Sequence, residues 1–251
     1  MDGLQMPPDK TGRRRKPFIS PEQFNLLVDF VQEPYSTMIF AAAWTGLRVS
    51  ELIGLKWRCI HADSITIEER FCRGDWSVPK TQASAATIGV SPEVIARILR
   101  LKNLTVEVRA GRAIRKYKLV KSDDPDALVF QSVKDGKPMN DQNMLKRHIQ
   151  PAARKLGLPF VNWRCLRTSH ATWLVQAGAD PKSVQGQMRH SRIATTMNHL
   201  RSMCSCCAAA SDREAVGVRE CIAIKTCHTV VTINRGFECL KLETNRIESV
   251  R

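Results

Sequence analysis

Tyrosine is almost missing from this 251-residue chain: Tyr35 and Tyr117 are its two copies, and none follows Tyr117. Chemistry that needs a phenol in the second half of the chain is therefore excluded. Long apolar runs are missing too. No stretch approaches the ~18 residues of a membrane-crossing helix, and the opening MDGLQMPPDKTGRRRK lacks the apolar segment of a secretion signal. These absences point to a cytoplasmic protein whose nine cysteines stay reduced, and an odd count gives no support to a disulfide framework. Acidic residues are scarce, 24 Asp and Glu against 39 Lys and Arg, which leaves a net charge of +15 and a pI near 9.8.

What is present is enough for a core, since 43% of the residues are hydrophobic. The charge is unevenly placed: residues 200–251 carry +2 and residues 1–199 the other +13. So basic a chain usually meets a polyanion, because each phosphate neutralised releases counterions. A well-solvated basic surface is the bland alternative.

Residues 1–16 are polar and basic and read as a flexible lead-in. Ser20 caps the first helix, with Pro21 at its first position and Gln23 closing a capping box. A second helix is expected over Thr37 to Trp44, broken at Thr45-Gly46, and a third runs through Arg48, Glu51, Leu52 and Leu55. Alternation at Ile65 and Ile67, the turn Arg73-Gly74-Asp75, and the runs at 76–78 and 86–90 predict a small antiparallel sheet. Ser91-Pro92-Glu93 opens another helix. Residues 103–125 are charged and weakly periodic and read as a long loop or insertion. Helices are expected over Asn140 to Leu156, Trp163 to Gln176 and Pro181 to about Met188, with Ser191 capping one more. The fold class is therefore α+β and mainly helical.

Four motifs carry chemistry. In Thr45-Gly46-Leu47-Arg48-Val49-Ser50-Glu51-Leu52, Gly46 permits a tight junction and Arg48 enters the first turn of a helix, where it can meet a phosphate. Taken alone this is weak, because first-turn arginines are usually just solvated. The second motif is Pro79-Lys80-Thr81-Gln82-Ala83-Ser84, followed by Thr87-Ile88. The third is Arg164-Cys165-Leu166-Arg167-Thr168-Ser169-His170-Ala171-Thr172. The fourth runs Gly178-Ala179-Asp180, then Val184-Gln185, Met188-Arg189-His190-Ser191 and Thr195-Thr196.

In that order and spacing, over about residues 17–199, the chain resembles the catalytic domain of the tyrosine recombinase (phage integrase) family. The resemblance implies the family's fold, mainly helical with a small antiparallel sheet, and its reaction. A tyrosine attacks a DNA phosphate, a 3′-phosphotyrosyl link forms, and the released 5′-hydroxyl later attacks the partner strand. No metal or other cofactor is needed, because the covalent ester keeps the energy of the bond. The resemblance assigns Arg48 and Arg167 to the non-bridging phosphate oxygens. It makes Lys80 the general acid for the leaving 5′-oxygen, His190 a phosphate ligand or proton-transfer aid, and Glu51 an orienting group. The implied partners are double-stranded DNA and intact recombinase protomers, with no membrane.

Two departures matter. Arg164 stands where the family's H-x-L-R box begins with His; arginine keeps the charge but cannot shuttle a proton near neutral pH. The nucleophile should lie ten residues after His190 and four after Thr196, and that position is Leu200. A leucine cannot form a phosphoester. The chain is thus expected to be cleavage-deficient.

Residues 200–251 hold six of the nine cysteines and show no amphipathic period. Losing one base from a coding run for His-Tyr-Ala-Gln-Tyr-Val can yield His-Leu-Arg-Ser-Met, the residues His199 to Met203, so this tail is read as translated out of frame. A zinc site is the competing reading, but Cys204, Cys206 and Cys207 are too tightly spaced and Cys221 to Cys227 slightly too wide. Members of the family usually also carry an N-terminal helical domain that clamps the other face of DNA. Here about 16 residues precede the catalytic domain, so a catalytic portion without that clamp is expected. Two functions stay open: a recombinase working with an intact partner or a misplaced nucleophile, or a non-catalytic DNA-binding remnant of a mobile element. A helix-turn-helix regulator is disfavoured, because groove reading has no use for this ordered Arg/Lys/His set.

Overall fold

The computed structural model describes residues 16–77, 86–110 and 112–197. Lys80, Leu200 and the tail that follows lie outside them, and so do the frame and zinc readings of that tail.

Helix α1 (Pro21–Phe30) starts where its capping box places it: Gln23 N–H donates to Ser20 Oγ, and Ser20 N–H donates to Gln23 Oε1. Helix α2 (Tyr35–Thr45) is apolar on nearly every side and is correspondingly buried, from Ser36 through Ala43. Helix α3 (Val49–Ile53) follows after the Gly46 junction. Helix α4 (Pro92–Arg100) buries Val94, Ile95 and Ile98. The helix expected over residues 140–156 is present with an irregularity: α5 (Asp141–Met144) and α6 (Gln150–Lys155) flank one wide π turn, Leu145–Ile149. Helix α7 (Trp163–Gln176) is capped by Asn162, whose side chain accepts from Cys165 N–H. Helix α8 (Pro181–Met188) is capped by Asp180, which accepts from the Lys182 and Ser183 amides. Residues 193–197 are helical at the end of the described chain.

The core centres on α2 packed against α7. Trp173 meets Phe24 at 5.3 Å and Trp44 at 5.7 Å between ring centroids, joining α7 to α1 and α2. Two hydrogen bonds tie the segment before α1 to the same helix: Ile19 N–H donates to Ser169 Oγ (2.9 Å), and Trp173 Nε1–H donates to Ile19 O (3.0 Å).

The expected small sheet is two antiparallel ribbons rather than three strands in a row. β1 (Ser64–Thr66) pairs with β4 (Thr87–Gly89), and β2 (Arg70–Cys72) pairs with β3 (Asp75–Ser77). Reading residues 103–125 as loop needs correction. They contain β5 (Thr105–Ala110) and β6 (Ala113–Lys118), an antiparallel hairpin. Its register sets Val106 opposite Tyr117 on the half-buried face and Glu107 opposite Lys116 on the exposed one, with a 3.3 Å ion pair between the latter two. The period of two is real, but Arg109, Arg112, Arg115, Lys116 and Lys118 mask it in a hydropathy reading.

Candidate DNA-phosphate site

The site is built at the α2–α3 junction. Gly46 ends α2 in the left-handed region (φ 64°), its N–H donating to Ala42 O at 3.1 Å. Arg48 then takes an extended conformation as the N-cap of α3. Glu51 reaches back to it twice. Arg48 N–H donates to Glu51 Oε2 (2.8 Å), and Arg48 Nη1 donates to Glu51 Oε1 (2.8 Å). Arg48 is 41% exposed and Glu51 3%, so the carboxylate is a buried anchor for an accessible cation.

Arg167 comes to the same junction from α7. Its Nη1 donates to the Gly46 carbonyl and its Nη2 to the Met188 carbonyl, joining the α2–α3 turn to the end of α8. Burial first, and then the Arg48 and Arg189 charges, pull Arg167 down to about 9, with Glu51 opposing; it still holds its proton at neutral pH. His190, two residues past Met188, is fixed by its neighbours. Its N–H donates to Gln185 O (3.1 Å), its carbonyl accepts from Gln185 Nε2 (2.9 Å), and its Nδ1 lies 3.0 Å from Thr196 Oγ1.

The residues named from the sequence therefore divide into groups. Arg48, Glu51 and Arg167 are brought together, with His190 on the adjoining turn. Arg164 lies exposed in the first turn of α7, and its charge is felt by Lys16. Lys80 and Leu200 fall outside the described residues.

Two residues of the site were missed from sequence. Arg189 ends α8 in the left-handed region (φ 51°), and its side chain is 2% exposed, with Nη2 2.6 Å from Glu51 Oε2. Burial works to raise Glu51, but the Arg189 charge and the hydrogen bonds from Arg189 and Arg48 outweigh it and hold the carboxyl below its ordinary value. The signal was available: glycine is the usual residue where a helix ends left-handed, and an arginine just before His190 is out of place there. The other is His170, buried against Gly46, with Nε2 unpartnered among the described residues. Burial pushes its pKa down to about 4; a hydrogen bond to the Ala43 backbone opposes this, and the Arg167 charge adds to it.

The His170 contact explains Gly46. A Cβ on Gly46 would lie 2.5 Å from His170 Cδ2 and 3.1 Å from Met188 Sδ, on a backbone that already disfavours L side chains. Left-handed strain of about 1–2 kcal/mol and overpacking of about 1–3 kcal/mol make Gly46→Ala destabilising by about 3 kcal/mol, measurable by urea unfolding. A loss under about 1 kcal/mol would mean the junction relaxes freely.

The comparisons with known proteins agree with this architecture. The profile of the Phage integrase family matches residues 17–203, most of the chain. This chain belongs to the phage integrase family. Among curated relatives, the integrase of Mycobacterium phage FRAT1 is 28% identical over 189 residues, covering 72% of this chain and 52% of that protein. The ICEBs1 integrase of Bacillus subtilis strain 168 is 24% identical over 197 residues, covering 74% and 50%. This phage integrase homologue thus spans about half the length of the curated relatives it matches. The Tn1549 transposon integrase, solved in complex with transposon right end DNA, shares its fold at a TM-score of 0.59 and 23% identity, covering 82% of this chain and 68% of that one. Among the described residues of this phage integrase homologue, no helix is long and apolar enough to cross a membrane.

Proposed function

We propose that this chain binds duplex DNA through a phosphate seated at Arg48 and Arg167, within the strand-exchange chemistry of its family, and that it does not itself cut the strand. The observation that carries the reading is the meeting of two guanidinium groups at one helix junction, with Arg48 left 41% exposed. A phosphate has the charge to meet both cations and can accept from the guanidinium N–H groups that Glu51 and the two carbonyls leave over. In this reading Glu51 sets the angle of Arg48, and His190 lies on the next turn to hydrogen-bond the phosphate. Arg164 adds charge at the mouth of α7 without a proton to move near neutral pH. Lys80 would protonate the leaving 5′-oxygen in a competent assembly. Leu200, at the nucleophile position, favours the DNA-holding remnant over an autonomous recombinase. Intact recombinase protomers would be the partners that cut, and the chain would work in the cytoplasm at the nucleoid.

Anisotropy titration of a labelled duplex tests the reading. Affinity falls steeply with salt, the slope of log K against log salt changing by about 0.9 for each phosphate contact. Arg48→Ala weakens binding about tenfold, as expected for one charge-assisted contact. Binding that ignores salt, or that ignores Arg48→Ala, would sink the proposal.

A further inference from the structure

We propose that Arg189 is a positioning residue that neutralises Glu51 and thereby keeps Arg48 available to a DNA phosphate. The proposal rests on the DNA-binding reading of the same site and adds to it a residue to which the family resemblance assigns no role.

The reasoning begins from the backbone. A left-handed helix end favours glycine, yet Arg189 sits there at φ 51° with its long side chain turned inward to 2% exposure. Its partner is the Glu51 carboxylate, 2.6 Å away and 138 residues earlier in the chain. The same carboxylate also takes the Arg48 side chain on Oε1 and the Arg48 amide on Oε2, both at 2.8 Å. Two guanidinium groups therefore share one negative charge.

That count sets the charge a phosphate meets. With Arg189 present, Arg48, Glu51 and Arg189 together carry +1, and Arg167 at the same junction brings the group to +2. Without Arg189, Arg48 and Glu51 cancel, and a phosphate must compete with a buried carboxylate for the one accessible guanidinium. Low polarity around the pair sharpens that competition. Arg189 thus makes Glu51 a support for Arg48 rather than a rival to the ligand. A plain structural tie between α8 and α3 would use the same ion pair but would not make DNA affinity depend on the charge of Glu51.

A double-mutant cycle separates the two. Duplex affinity is measured at fixed low salt for the unmodified chain, Arg189→Gly, Glu51→Gln and the double variant, with thermal unfolding recorded for each. Glycine suits the left-handed backbone, so Arg189→Gly removes the side chain without adding strain there. Arg189→Gly loses about tenfold in affinity, the worth of one charge-assisted contact. Glu51→Gln alone binds more tightly, and the double variant recovers most of the loss. If Arg189→Gly fails to unfold cooperatively, Arg189→Gln replaces it, keeping a donor to Glu51 without the charge, and the same loss and the same rescue are expected. Wild-type affinity in Arg189→Gly, or an undiminished loss in the double variant, overturns the proposal. Binding that depends on Arg48 but not on Arg189 sinks this inference alone, whereas a chain that binds no DNA sinks the functional reading along with it.

Discussion

Incubated with a nicked duplex that traps a phosphotyrosyl link, this chain leaves every labelled strand free of protein on a denaturing gel. The expectation follows from where its oxygen nucleophiles are. Leu200 holds the position four residues past Thr196 and offers no oxygen to phosphorus. Tyr35 begins α2, and the eleven residues of that helix put it about 16 Å from the Gly46 junction along the axis. Its ring stacks on His148 at 3.9 Å, and burial raises its pKa, the wrong direction for an attacking phenolate. Tyr117 is paired opposite Val106 in the β5–β6 hairpin. Leu200→Tyr alone restores little adduct, because the residues after it still depart from the family pattern. Replacing residues 200–251 with a family-like continuation that begins with tyrosine does better, and Arg164 keeps turnover slow by supplying charge without a transferable proton. A protein-linked band from the unmodified chain would show that another residue attacks, and the reading of a disarmed recombinase would fall.

Mild acid has the second large effect, through His170. Its folded pKa of about 4 lies below the ordinary 6.5, so the unfolded chain takes up the proton first. Stability from this group is therefore complete above pH 6.5 and is lost as pH falls from 6.5 to about 4. At about 1.4 kcal/mol per pH unit the loss comes to about 3 kcal/mol, or about 10 °C in Tm for a domain of this size. Burial sets most of that shift and the Arg167 charge adds to it, while the hydrogen bond to the Ala43 backbone opposes both. Glu51 is depressed too, so its share of stability goes only as pH falls below the ordinary carboxylate range, beneath most of the His170 window. His170→Gln, which can still donate to Ala43 O but takes up no proton, flattens the decline between pH 6.5 and 4.5. Thermal melts across that range decide it. A parallel decline in both proteins would assign the acid sensitivity elsewhere.

Much of this was legible in the sequence, because the decisive signals are local. Ser20, Asn162 and Asp180 cap their helices by accepting from amides two or three residues further on, and Gly178 sits just beyond the end of α7. Such caps need no tertiary partner to act. The motif around Arg48 and the box around Arg167 were readable for the same reason, since each is a contiguous run with its own spacing. The β5–β6 hairpin was not, because long charged side chains on its exposed face hide the alternation of Val106, Val108 and Tyr117.

Tertiary structure alone decided how the charges divide. Glu51 could be assigned to Arg48 from sequence, three residues apart on one helix turn. Its second partner, Arg189, is 138 residues away and reaches it because Arg167 binds the Gly46 and Met188 carbonyls and so brings the end of α8 to the α2–α3 junction. The same convergence turns His170 from one more helix residue into a buried neutral imidazole against Gly46. Caps and turns are set by neighbours along the chain, whereas a buried charge takes its partner from whatever side chain the packed core leaves within reach. That selection is made by folding, and no spacing rule in the sequence contains it.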